Sequence, residues 1–127
     1  MLPSFLLTES VARQDGAGPE VGLGATAGKP LLLTLGITQS IEQESLDVAV
    51  YGSTDGQKWG EKPLIAFPQK FYCGTYSLLL DLSTQPEVKY LRVQWKMSRW
   101  GRGEPTPLFG FYLFAQEANA MAALAVA

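Results

Sequence analysis

The sequence predicts an all-β domain, built as an antiparallel two-sheet β-sandwich of the jelly-roll kind. Short apolar stretches with alternating side chains recur along the chain, as they do in strands that face a core on one side. Turn-forming residues, among them 13 glycines and 8 prolines, separate these stretches. A length of 127 residues fits one domain with its own core. A closed β-barrel is the alternative that the same pattern allows.

The first half of the chain contains three long predicted strands and a short one near residues 20–23. Residues 4–12 form the first, and a turn rich in Gly and Pro follows at residues 15–19. Residues 31–39 alternate as the second strand. A polar connector at residues 41–45, with room for one helical turn, leads to the third strand at residues 46–53.

The second half contains four further strands, at residues 64–67, 71–82, 88–97 and 108–115. The third of these is the most clearly amphipathic, with Leu91, Val93, Trp95 and Met97 predicted to face inward and Tyr90, Arg92, Gln94 and Lys96 outward. The last is apolar on both faces, which indicates a central or doubly covered strand. We therefore expect one domain over residues 1–115 and an Ala-rich tail over residues 116–127, either a short helix or frayed.

Composition narrows the classes of partner and compartment. The formal net charge is −2 and the apolar content is 46%, so no general attraction to nucleic acid or to a membrane surface is expected. No stretch approaches the roughly 20 apolar residues of a membrane span, and the N-terminus lacks the basic region of a signal peptide. With Cys73 as its only cysteine, the chain cannot form an internal disulfide. The expected location is cytoplasmic.

Catalytic chemistry finds little support in the residue types present. The chain has no histidine, which excludes histidine-dependent nucleophilic catalysis and histidine-ligated metals. Cys73 is expected to be a buried structural thiol. Glu42 and Glu44 are the closest carboxylates, in a connector expected to be solvated, and the acids do not cluster as a calcium loop requires. We expect no enzyme activity, no cofactor and no metal.

Two motifs connect the chain to a known superfamily. Residues 47–59, Asp-Val-Ala-Val-Tyr-Gly-Ser-Thr-Asp-Gly-Gln-Lys-Trp, run from an alternating strand into a Ser-x-Asp-Gly-x-x-Trp turn. This stretch resembles the strand and turn of discoidin-type, galactose-binding-like domains. Residues 88–93, Val-Lys-Tyr-Leu-Arg-Val, are similar to a later strand of the same family. The resemblance covers about residues 31–115 and implies a sandwich fold and sugar binding.

The loop after the amphipathic strand is the predicted ligand site. Trp100 stands there between Arg99 and Arg102, with Tyr90 and Arg92 on the strand that leads into the loop. Trp can stack on a sugar or a base, and Arg can bind a carboxylate or phosphate. The structural alternative is that Trp100 packs onto the end of the sandwich, while the arginines pair with nearby acids.

Two functions follow from these features. The first is a non-catalytic binding module for a carbohydrate or an acidic small ligand. The second is a structural or assembly protein, such as a subunit of a homo-oligomer, virion, tail or shell. The low charged fraction of 17% and the basic segment 88–103, which follows an acidic first half, favour the second.

Overall fold

A computed structural model describes residues 2–100 and 106–118, and it confirms the predicted all-β sandwich. Within these residues a 3₁₀ turn at Gly24–Thr26 accompanies nine strands. In chain order the strands are β1 Ser4–Ala12, β2 Gly16–Ala17, β3 Val21–Gly22, β4 Pro30–Ser40, β5 Glu44–Ser53, β6 Ile65–Ala66, β7 Gly74–Asp81, β8 Tyr90–Arg99 and β9 Phe109–Glu117.

The strands form two antiparallel sheets. The first sheet has the order β1-β9-β4-β7. In the second, β8 pairs with β5 along its length, β6 lies beyond β5, and β2 and β3 share the other side of β8. β1 and β7 end the first sheet without pairing with each other within the described part of the chain, so the closed-barrel alternative is wrong.

The core fills the space between the two sheets and follows the predicted alternation. Leu46, Val48 and Val50 of β5 are buried, as are Leu91 and Val93 of β8. β9 contributes the largest fully buried side chains, Phe109 and Phe111, from its position between β1 and β4. The prediction that the last strand is central is therefore confirmed. Each such side chain stabilises the fold by about 1.5–3 kcal/mol through removal from water.

Several boundaries differ from the sequence prediction. β5 begins at Glu44, so the connector at 41–45 is a tight bend with Gln43 in the left-handed region (φ 57°) and has no helical turn. Gly16–Ala17 pairs with β8 inside the segment predicted as a turn. β9 continues to Glu117, because Gln116 and Glu117 pair with the start of β4. The predicted helix or fraying of the remaining tail lies outside the described residues.

The turn after β5 has the geometry of a capped Asp-Gly turn. The Ser53 hydroxyl accepts hydrogen bonds from the N–H groups of Asp55 and Gly56, and the Asp55 carboxylate accepts from Gln57 and Lys58. These main-chain donors lower the pKa of Asp55 to about 2. The chain pairs with β5 again at Ile65 and Ala66, which form β6.

Candidate functional site

Trp100 lies exposed at one end of the sandwich, immediately after β8. The residue is 58% exposed. Its main-chain N–H donates to the carbonyl of Gln43 at 3.0 Å, which fixes the main chain where the strand ends. Of the two sequence-based alternatives for this residue, the structure selects the exposed side chain. Exposed Trp side chains that do not serve packing are candidates for ligand contact.

Two further aromatic side chains stand beside Trp100. The Phe71 ring lies 6.2 Å from the Trp100 ring in an edge-to-face arrangement and 6.3 Å from the ring of Tyr72. Phe71 is 39% exposed and Tyr72 is 73% exposed. We call Phe71, Tyr72 and Trp100 the aromatic end. The sequence prediction placed Phe71 and Tyr72 in a strand, whereas β7 starts only at Gly74.

The segment before β7 is held so that these two rings project outward. Lys70 forms a two-hydrogen-bond bridge with Leu46 at 2.8 and 2.9 Å, which attaches the segment to the start of β5. The Lys70 ammonium also lies 3.8 Å above the ring of Tyr76. Residues 71–73 then connect this bridge on the second sheet to the start of β7 in the first sheet. The sequence signal that could have found this feature is the pair of adjacent aromatics, Phe71 and Tyr72, just before Cys73 and Gly74.

Arg99 does not share a surface with Trp100. Alternate side chains of a strand point to opposite faces, so Arg99 follows the inward series of β8 and Trp100 the outward one. One terminal nitrogen of Arg99 donates to the Thr106 carbonyl at 3.3 Å. Its Nε is buried and has no hydrogen-bond partner among the described residues. Arg102, the other arginine of the predicted loop, lies outside the described residues.

Glu44 is buried at the same end, contrary to the predicted solvated connector. It is 1% exposed and stands opposite Arg99 in the pairing of β5 with β8. Its two carboxylate oxygens accept hydrogen bonds from Ile41 N–H at 2.8 Å and Leu108 N–H at 2.7 Å. The carboxylate thus joins the bend before β5 to the segment entering β9. Glu42, in contrast, is exposed, so the two acids are not a pair.

Tyr90 and Arg92 lie far from Trp100. Ten strand positions separate Tyr90 from Trp100, which corresponds to about 30 Å at the rise of an extended chain. Arg92 donates from Nε to the Gly18 carbonyl at 3.0 Å, and its guanidinium lies 5.2 Å from the ring centre of Trp59. The four predicted ligand residues that the structure describes therefore do not lie together at one site.

Trp95, Trp59 and Cys73 lie outside the aromatic end and differ in burial. Trp95 packs against the core and contacts Phe111 edge to face at 5.4 Å, as expected for an inward position. Trp59, the last residue of the Ser-x-Asp-Gly-x-x-Trp turn, is half-buried beneath Arg92. Cys73 was predicted to be buried and is exposed, with its sulfur 3.6 Å from the Ser40 hydroxyl oxygen.

A second concave surface lies on the outer face of the second sheet. It encloses about 460 Å³, and its floor is formed by Asp47 and Tyr51 of β5 and by Gln94 and Lys96 of β8. Asp47 stands opposite Lys96, and its carboxylate accepts a hydrogen bond from the Gln69 amide at 3.1 Å. This volume suits a small ligand, although the groove is open along one side.

The described residues show neither a metal-binding cluster nor a membrane-spanning helix. Residues 2–100 and 106–118 contain no group of three His, Cys, Asp or Glu side chains placed to hold an ion. Over the same part of the chain, no helix is long and apolar enough to cross a membrane. No family model and no curated protein matches this chain.

Proposed function

We propose that this chain is a non-catalytic binding module whose ligand contacts the aromatic end. The observation that carries this proposal is the juxtaposition of three exposed rings, Phe71, Tyr72 and Trp100, at one end of the sandwich. Large aromatic side chains gain most from burial, so a solvent-facing cluster is a feature to expect at a binding surface. Loops at the end of a rigid sandwich commonly carry binding residues.

A carbohydrate fits this surface better than an acidic ligand. Sugar rings present an apolar face that can stack on Trp or Tyr, and their hydroxyl groups can bond to main-chain groups of the neighbouring loops. An acidic ligand would require a cation directed outward, and in the described part of this end Arg99 is directed inward to the Thr106 carbonyl. We also propose kinship with galactose-binding-like domains, supported by the antiparallel sandwich and the capped Ser53–Gly56 turn. A cytoplasmic location remains part of the proposal.

Substitution of Trp100 tests the proposal. We expect Trp100→Ala to reduce affinity for a glycan identified on an array by tenfold or more, because loss of one stacked ring costs on the order of 1–3 kcal/mol. Isothermal titration calorimetry gives the affinity, and circular dichroism checks the fold. Phe5→Ala is the matched control, since Phe5 is a partly exposed aromatic on the outer face of the other sheet. Equal binding by the Trp100 variant and the parent chain contradicts the proposed site.

A second candidate function is that of an assembly subunit, and a separate observation favours it. The outer face of the first sheet carries an aromatic cluster in which Phe5 contacts Tyr112 at 5.8 Å and Phe114 at 5.0 Å. Leu79 of β7 is exposed on the same face. Apolar side chains grouped on a sheet face are typical of surfaces that other chains cover. This role is compatible with ligand binding at the aromatic end.

A further inference from the structure

The first sheet ends in one long strand that lacks a neighbour. β7 pairs with β4 without interruption, from Gly74 opposite Ile37 to Asp81 opposite Pro30. Its other edge has no strand partner within residues 2–100 and 106–118. In an antiparallel ladder, alternate residues direct their N–H and C=O groups to each side. One row of these groups on β7 is therefore available for pairing.

The other strand edges in the described chain have features that oppose pairing. β1 carries two register shifts against β9, between Phe5 and Leu7 and between Leu7 and Ser10. Such irregularities twist an edge away from a regular partner. The edge strands of the second sheet, β2, β3 and β6, have two residues each. β7, with eight residues, differs from all of them.

The composition of β7 also lacks the usual protection. Its sequence, Gly-Thr-Tyr-Ser-Leu-Leu-Leu-Asp, contains no Pro, Lys or Arg, and the terminal Asp81 is its one charged residue. Proteins commonly prevent edge pairing with Lys or Pro on the edge strand. Leu79 instead points outward and is 54% exposed. An eight-residue edge without such protection is a template for another strand.

We propose that a second copy of this chain pairs with β7 through its own β7. The two strands run antiparallel about a two-fold axis, and the two first sheets become one continuous eight-stranded sheet. This inference deepens the assembly role and is independent of ligand binding at the aromatic end. The partner is a second copy, because in a two-fold pair the same strand edge supplies the hydrogen-bonding groups on both sides of the interface.

The side chains of β7 select a self-complementary register. In antiparallel pairs, directly opposite residues share a face, so the two-fold axis must pass through a residue position. With Leu78 opposite Leu78 of the second copy, Tyr76 faces Leu80 and Ser77 faces Leu79. Asp81 then lies opposite Thr75, whose hydroxyl can donate to the carboxylate. This register keeps the two Asp81 carboxylates at opposite ends of the interface, where they do not repel each other.

Sedimentation equilibrium over a range of about 1 μM to 1 mM tests the interface. We expect the full chain to dimerise, and Leu79→Lys to raise the dimer dissociation constant at least tenfold, because it places a charge opposite Ser77 on both sides of the axis. Val11→Lys is the matched control: Val11 is 52% exposed and lies on β1, the opposite edge of the same sheet. That variant is expected to dimerise like the parent chain.

A second pair of variants tests the register. Thr75→Asp places two carboxylates opposite each other and is expected to weaken the dimer. Adding Asp81→Asn to the same chain is expected to restore it, since Asn removes the charge and keeps an acceptor for the Ser83 N–H that Asp81 now bonds at 2.9 Å. Circular dichroism confirms that each variant is folded.

The outcomes separate the interface from the roles proposed above. A dimer that Leu79→Lys leaves intact, or that Val11→Lys disrupts equally, overturns the β7 interface and leaves an assembly role in place. A strict monomer at every concentration overturns both. Glycan binding at Trp100 is measured separately and is unaffected by either result.

Discussion

Glu44 shows how a single buried carboxylate can organise one end of a sandwich. Its oxygens accept from Ile41 N–H and Leu108 N–H, which belong to segments far apart in the chain. Buried main-chain donors must find acceptors, and hydrogen bonds to a charged group are among the stronger ones. The carboxylate thereby holds the bend before β5 against the segment that enters β9.

Removal of this carboxylate should destabilise the fold. We expect Glu44→Ala to lower the free energy of unfolding by about 2–4 kcal/mol, because two main-chain N–H groups lose their acceptor. Glu44→Gln, which keeps one carbonyl acceptor, should cost less. Urea denaturation followed by circular dichroism measures both. Glu42→Ala is the control, since Glu42 is exposed and should change stability by no more than about 0.5 kcal/mol. Equal effects at the two glutamates contradict this account of Glu44.

The burial of individual residues was harder to predict from the sequence than the strands or the fold class. Local sequence placed Glu44 in a solvated connector because its neighbours are polar, but its acceptors are used by Leu108, 64 positions later. Cys73 was predicted to be buried from residue type alone, and it is exposed because the strand starts only after it. Trp100 was predicted as a ligand residue from its loop, whereas its neighbour Phe71 joins it only through a contact between distant segments.

At the scale of elements, β4 and β9 depend on a close fit between a glycine and an aromatic ring. Gly36 stands opposite Tyr112 in the pairing of the two strands. A Cβ added at Gly36 would overlap the Tyr112 ring, so the ring lies directly over the glycine. An aromatic side chain placed over a glycine in a strand covers main chain that the glycine leaves unprotected.

A double-mutant cycle tests this fit. We expect Gly36→Ala to destabilise the fold by about 1–3 kcal/mol, because the Tyr112 ring must move from its place over β4. In the Tyr112→Ala background the same change should cost much less, since no ring occupies the space. Thermal or urea unfolding of the four proteins gives the coupling energy. Additive effects show that the two residues do not interact.

The inward faces of the longer strands were predictable, while several strand ends and the edge strands were not. Alternation along β5 and β8 identified the inward residues, because a strand with one buried face repeats every two positions. Two-residue strands such as β2 have no pattern to detect, and Gly16 and Ala17 were predicted as turn residues. Which strand lies at an edge depends on the order β1-β9-β4-β7, which local sequence does not specify. The unprotected edge of β7 became visible only from that order.

At the scale of the whole molecule, the chain order couples the two sheets. β9 lies between β1 and β4, so the first sheet is complete only when the first and the ninth strands are both in place. Phe111 of β9 is fully buried and contacts the Trp95 ring of the second sheet at 5.4 Å. A sandwich with one shared core of this kind should unfold as a unit.

Substitution of Phe111 in the first sheet tests this coupling. All three tryptophans of the chain belong to the second sheet or its connections, so tryptophan fluorescence reports on the second sheet, whereas circular dichroism reports on both. We expect Phe111→Leu to lower the urea midpoint measured by tryptophan fluorescence by as much as the midpoint measured by far-UV circular dichroism. The lost packing should cost about 1–2 kcal/mol. In the parent chain the two probes should also give coincident transitions. If fluorescence and circular dichroism separate in either protein, the sheets unfold independently, and the shared core is not what holds them together.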